Sequence, residues 1–183
     1  MSEPAGGTAQ PVRVLGDPVL RARCATVSDF GPALEQLVSD MFATMYAADG
    51  VGLAANQIGV ALRVFVFDCP DDGGRQLRGA VVNPTLEMPA PGQRRLSDDE
   101  EGCLSVPGGY APIARPSDAV VHGVDPKGDA VRVEGTGFLA RCLQHECDHL
   151  DGRVFVDRLS ARDRRALLRS AGLADRADRA DRA

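Results

Sequence analysis

Apolar residues recur at steps of three and four between residues 32 and 48, where Leu34, Leu37, Val38, Met41, Phe42 and Met45 fall on one helical face. Ser28 or Asp29 stands where a cap would, Pro32 suits the first turn, and Gly50-Val51-Gly52 ends the pattern. The period then changes to that of strands. Residues 62–68 (LRVFVFD) precede the turn Pro70-Asp71-Asp72-Gly73-Gly74, and 80–82 and 85–88 read as two short strands split by Asn83-Pro84. Residues 119–124 and 130–134 flank Asp125-Pro126-Lys127-Gly128 as a hairpin. A second helix spans 138–150 and stops at Asp151-Gly152, and an Arg-rich third spans 161–171. The first eleven residues, small and polar, read as a frayed arm. The closing Ala-Asp-Arg repeats read as solvated low-complexity chain, because a period of three matches no helix face.

Helix, several strands, then helix predicts an α+β fold. One domain is expected over residues 1–160, with short antiparallel strands packed around the 138–150 helix, followed by the Arg-rich helix and tail over 161–183. A length of 183 residues agrees with one domain, and 44% hydrophobic with 26% charged residues is a globular composition, not a disordered one. No apolar run approaches the roughly 20 residues of a membrane helix. The start MSEPAGGTAQP has no basic-then-apolar pattern, so a cytoplasmic location is expected. Five cysteines (24, 69, 103, 142 and 147) are an odd number, which suits thiols or ligands better than a disulfide framework. The net charge of −5 argues against nucleic acid, and specific DNA in particular, as the main partner. It is unevenly spread: residues 158–183 carry 8 Arg against 4 Asp, so the body before them is the more acidic.

The densest chemistry lies in the second helix. In His145-Glu146-Cys147-Asp148-His149 the histidines stand four apart, so both imidazoles can reach one metal ion. Glu146 is close enough to hydrogen-bond a water there without being a ligand. Cys147, about 200° round the helix from His145, is excluded as a ligand. A catalytic centre wants three protein ligands and an open position, and no histidine or cysteine follows His149. Upstream, Glu101-Gly102-Cys103-Leu104-Ser105 offers Cys103, with Gly102 allowing close backbone approach; alone, Cys103 reads as an ordinary buried thiol. In Gly50-Val51-Gly52-Leu53-Ala54-Ala55-Asn56-Gln57, small residues leave room for a ligand, and Gln57 could donate to a developing oxyanion. Alone, that segment is a tight helix-to-strand turn.

In this order and at these separations, Gly-x-Gly-Leu-Ala-Ala-x-Gln, Glu-Gly-Cys-Leu-Ser and Gln-His-Glu-x-Asp-His resemble the three signature motifs of the peptide deformylases, over roughly residues 12–160. The resemblance implies a metal-dependent hydrolase that removes the formyl group from formyl-methionyl nascent chains through a metal-activated water. By motif position, Cys103, His145 and His149 would be the ligands, and Glu146 the general base. The Gln57 side chain and the Leu104 backbone N–H would hold the oxyanion. Gly50, Val51, Gly52, Gly102, Phe138 and Cys142 would line the substrate site, although from the sequence alone Cys142 reads first as packing. Two imidazoles and a thiolate suit Zn²⁺, Fe²⁺, Ni²⁺ or Co²⁺; the resemblance implies Fe²⁺ in the cell. Asn56 departs from the proline or threonine of many members, at a position that neither binds metal nor catalyses.

Two rival readings stay open. One is a closed Cys103-Cys142-His145-His149 zinc site, which would leave Glu146 without a use. The other is a zinc peptidase of the His-Glu-x-x-His type. His122 reads as structural, while Gln144 and Asp148 could orient ligands or pair on the helix surface. Arg162, Arg164, Arg165 and Arg169 form a basic cluster that could dock on ribosomal RNA or simply be a solvated helix.

Overall fold

In chain order the main elements of the computed structural model, which describes residues 6–176, are α1 (Pro32–Ala47), β1 (Gly52–Ala54), β2 (Val64–Pro70), β3 (Gln76–Glu87), β4 (Leu96–Cys103), β5 (Val106–Pro116), β6 (Asp118–Val124), β7 (Ala130–Thr136), α2 (Gly137–Leu150) and α3 (Ala161–Ser170). The architecture is the expected α+β. An antiparallel sheet of order β1-β2-β3-β6-β7 lies beside a separate β4-β5 hairpin.

β2 explains how the layers stack. Val64 and Val66 point to one face, Phe65, Phe67 and Cys69 to the other, and all five are buried. An unbroken apolar run is what a strand covered on both faces requires. α1 covers the valine face through Leu34, Val38, Met41 and Met45. α2 covers the phenylalanine face through Leu139, Cys142, Leu143 and Leu150. A third cluster joins Val106, Ala111 and Ile113 of β5 to Leu15, Phe155, Val156, Leu168 and Leu173. α3 thus docks on the hairpin through Leu168, with the Ser160 side chain capping it by accepting from the Asp163 N–H at 3.1 Å.

Several local expectations change. The N-cap of α1 is Gly31, with Pro32 in the first turn and no side-chain cap, so neither Ser28 nor Asp29 takes that role. Residues 76–87 form one strand, not two, with a register shift between Val82 and Thr85. Asn83 makes the kink at φ +53, and its side chain bonds both the N–H and the C=O of Val27. The N-terminal arm is tied to α1 from residue 8: the Thr8 N–H donates to Asp40 and the Gln10 N–H to Thr44. Residues 1–5, and the repeats beyond residue 176, lie outside the described residues. The β6-β7 hairpin forms as expected, all five cysteines are free thiols, and among the described residues no helix is long and apolar enough to cross a membrane.

Candidate active site

α2 is buried from Leu139 to Leu150, so its polar side chains must find partners inside the protein. The Nε2 atoms of His145 and His149 lie 3.1 Å apart, and the Cys103 Sγ, at the end of β4, lies 3.2 Å from the His149 Nε2. One ligand atom from each of the three falls within 4.8 Å of the others. Ligands of a tetrahedral metal at 2.0–2.3 Å are themselves about 3.3–3.7 Å apart, so the set fits one small cation. The Cys103 sulfur also receives the Ser105 N–H at 3.4 Å and the Gln57 amide at 3.6 Å.

The strand next to Cys103 orients the first imidazole. Glu101, buried, meets the His145 Nδ1 at 2.7 Å, which leaves the Nε2 lone pair facing the cluster. Burial alone would raise the Glu101 carboxyl, but hydrogen bonds from Arg115 and His145 hold it well below the usual carboxylate range. Arg115, 1% exposed, grips Glu101 with Nε and Nη2 at 2.6 Å each and reaches Asp148 with Nη1 at 2.9 Å. Arg141 adds a fourth bond to Glu101 at 2.9 Å, and Arg158 a two-point contact to Asp148. The hairpin and α2 are therefore locked by a fully paired ionic network.

Glu146 is different. It is 3% exposed, and its Oε2 is buried without a hydrogen-bond partner. Burial raises its carboxyl to about 7, against the opposing pull of His145. It lines a cavity of about 580 Å³ together with Gln57, Cys103, Leu104 and His145. Gly50, Val51, Gly52, Gly102, Phe138 and Cys142 line the same cavity, so the structure brings together every expected site residue there except His149, which is fully buried behind it. Gly52 has a specific use: a Cβ there would stand 2.5 Å from the Glu146 Oε1 and 2.8 Å from the Cys142 Sγ. Gln57 is pinned by the Ala54 N–H, which donates to its Oε1 at 2.9 Å and turns its Nε2 toward Cys103 and the Ser105 hydroxyl.

The residues left open also find places. Cys142 both packs in the core and lines the cavity, its Sγ 3.7 Å from the Val51 carbonyl and outside the three-ligand group. Cys147 is outside the three-ligand group, and burial pushes its thiol up to about 12. Gln144 donates to the Pro116 and Ala140 carbonyls, and Asp148 serves Arg115 and Arg158, so neither touches an imidazole. His122 pairs with Glu87 on the surface. Sequence reasoning missed Glu101 and Arg115, and it missed Asn56, whose buried Nδ2 donates to the His149 carbonyl at 2.7 Å. Glu101 was readable, as a carboxylate two positions from the thiol ligand candidate; Arg115 was not.

A half-buried thiol and two buried imidazoles, with an unpaired carboxylate beside them on an open cavity, define a metal-dependent hydrolase. Residues 9–165 match the family model described as polypeptide deformylase. The chain is 58% identical over 164 residues to peptide deformylase 1 of Streptomyces avermitilis, covering 89% of this chain and 76% of that protein. It is 57% identical over 170 residues to peptide deformylase 2 of Streptomyces coelicolor, covering 93% of each. Among solved structures, the peptide deformylase of Synechococcus elongatus in complex with actinonin superposes with a TM-score of 0.83 at 37% identity, covering 97% of both chains. The chain belongs to the polypeptide deformylase family, metal-dependent hydrolases that remove the N-formyl group from nascent peptides.

Proposed function

We propose that Cys103, His145 and His149 hold one divalent ion, Fe²⁺ in the cell, and that Glu146 is the general base for hydrolysis of formyl-methionyl chains. A divalent ion at these donors supplies Lewis acidity and a water of lowered pKa. Glu146 takes the proton of the attacking water as a C–O bond forms at the formyl carbon, and a carboxyl near 7 suits that task. The Gln57 Nε2 and the Leu104 N–H donate to the formyl oxygen as charge gathers there. Glu146 then returns the proton to the methionyl nitrogen as the C–N bond breaks, giving formate and a free amine. Val51, Phe138 and Cys142 receive the methionine side chain, and Gly50, Gly52 and Gly102 let the peptide backbone lie close.

The observation that carries this reading is the Glu146 Oε2, buried and unpartnered beside three donors at the floor of a cavity. Formate release from formyl-Met-Ala-Ser tests it. Glu146→Gln should keep the metal, read by elemental analysis, while losing about 10²–10⁴-fold in turnover; near-normal release by that variant rejects the assignment. In a cytoplasmic setting, the face of α3 formed by Arg162, Arg165 and Arg169, all exposed and spaced three and four apart, would approach ribosomal phosphates. Arg164, near Asp157, is less available.

A further inference from the structure

The two imidazoles of the site are unequally supported. His145 has an outer partner, because its Nδ1 meets the Glu101 carboxylate at 2.7 Å. His149 lacks one. Its Nε2 faces the cluster, 3.1 Å from the His145 Nε2 and 3.2 Å from the Cys103 Sγ. Its Nδ1 is buried with no hydrogen-bond partner among the described residues. A neutral imidazole that offers Nε2 to a cation carries its proton on Nδ1, and a buried N–H needs an acceptor.

Asn56 holds the matching group. It is fully buried in the short helical turn Ala55–Ile58, and its Nδ2 donates to the His149 carbonyl at 2.7 Å. That bond uses one end of the amide. The other end, Oδ1, is an acceptor buried with no partner among the described residues. One residue thus carries an unused acceptor and the other an unused donor, and a 2.7 Å bond ties the two together. The turn that presents Asn56 is well braced. The Gly59 N–H donates to the Asn56 carbonyl and the Val60 N–H to the Ala55 carbonyl, both at 3.0 Å, and the Arg13 N–H reaches the Gln57 carbonyl at 2.7 Å. From this one turn Gln57 lines the cavity, while Asn56 reaches the His149 backbone. An amide puts its donor and its acceptor on separate atoms, so it can serve a carbonyl and a ring at once.

We propose that Asn56 is the positioning residue for His149: Nδ2 anchors the backbone, and Oδ1 accepts from the Nδ1–H, directly or across one buried water, when Nε2 holds the ion. The inference rests on the assignment of Cys103, His145 and His149 as ligands. It makes Asn56 the counterpart of Glu101, with one outer acceptor for each imidazole. Such outer partners are worth about 10–100-fold in metal affinity.

Two measurements test it: zinc affinity by competition with a chromophoric chelator, and proton–nitrogen spectra of zinc-loaded protein labelled with ¹⁵N at histidine. The wild type should bind zinc with the His149 Nδ1–H shifted downfield like that of His145, because a hydrogen-bonded ring proton moves that way. Asn56→Leu, similar in volume and without side-chain polar atoms, should weaken zinc about 10–100-fold. It should also return the His149 proton upfield while leaving that of His145 in place. Asn56→Asp keeps an oxygen toward the ring and should recover most of the affinity and of the His149 shift. If the leucine variant does not fold, the wild type decides, since a His149 Nδ1–H at the position of an unbonded ring overturns the proposal. A leucine variant that holds zinc as tightly as wild type overturns it too, as does an aspartate variant as weak as the leucine one. In those cases the three-ligand site stands. A wild type that binds no zinc, or binds it without moving the ring nitrogens of His145 and His149, overturns the ligand assignment and the inference with it.

Discussion

Arg115→Met removes a guanidinium that is 1% exposed and makes three hydrogen bonds to two buried carboxylates. Methionine fills much of the volume, so the change is chiefly electrostatic. Removing one partner of a buried ion pair costs about 3–5 kcal/mol. Glu101 keeps Arg141 and His145, and Asp148 keeps Arg158. The expected loss is therefore at the low end, about 3 kcal/mol, or a fall in Tm of roughly 6–12 °C for a chain of this size. pH separates this cause from simple mispacking. The folded pKa of Glu101 is depressed, so its stabilising contribution is complete above the unfolded value of about 4.3 and is lost as pH falls toward the folded value. Without Arg115 the depression is weaker. The variant's deficit should be full at pH 7 and should shrink only where pH falls below the folded value that Glu101 keeps in the variant under the pull of Arg141 and His145. Urea unfolding of both proteins in chelator, which removes metal linkage, measures it. A deficit below about 1 kcal/mol at pH 7, or one that grows as pH falls, refutes the electrostatic account.

Two more outcomes follow from the ligand set and from α3. Iron-loaded enzyme should lose activity in air, with oxidation products on Cys103 seen by mass spectrometry, while nickel-loaded enzyme persists; equal decay of the two would show that iron oxidation is not the cause. Substituting Arg162, Arg165 and Arg169 together by alanine should leave hydrolysis of formyl-Met-Ala-Ser nearly intact while weakening co-sedimentation with ribosomes at low salt. Unchanged co-sedimentation would rule out docking by that face. Substitution is a cleaner probe than truncation after Ser160, because Leu168 and Leu173 are buried in the β5 cluster.

The parts of the molecule written in short-range pattern were readable from the chain. Helical periodicity located α1 and α2 within a residue or two, and two histidines four apart on α2 gave the heart of the site. The β4-β5 hairpin was not readable. β4 runs Ser97-Asp98-Asp99-Glu100-Glu101, which looks like solvated acidic loop, and β5 carries Pro107, Gly108, Gly109, Pro112 and Pro116, residues poor in strands. What makes them strands is distant: Arg115 and Arg141 neutralise the buried Glu101, and α3 covers the apolar alternation of Val106, Ala111 and Ile113. Asn56 was dismissed for the same reason, since its partner is a carbonyl 93 positions away.

The burial of α2 on every side has a consequence for traffic of the ion itself. His149 is fully buried, with Asn56 bonded to its carbonyl and Phe155 stacked near His145, so among the described residues the proposed ligand cluster faces the cavity that Cys103 and His145 line. With the ion at Cys103, His145 and His149 as proposed, metal and substrate would share one corridor. Under the proposed assignment a peptide lodged there would cork the site, so the ion would exchange from resting enzyme and be retained by a busy one.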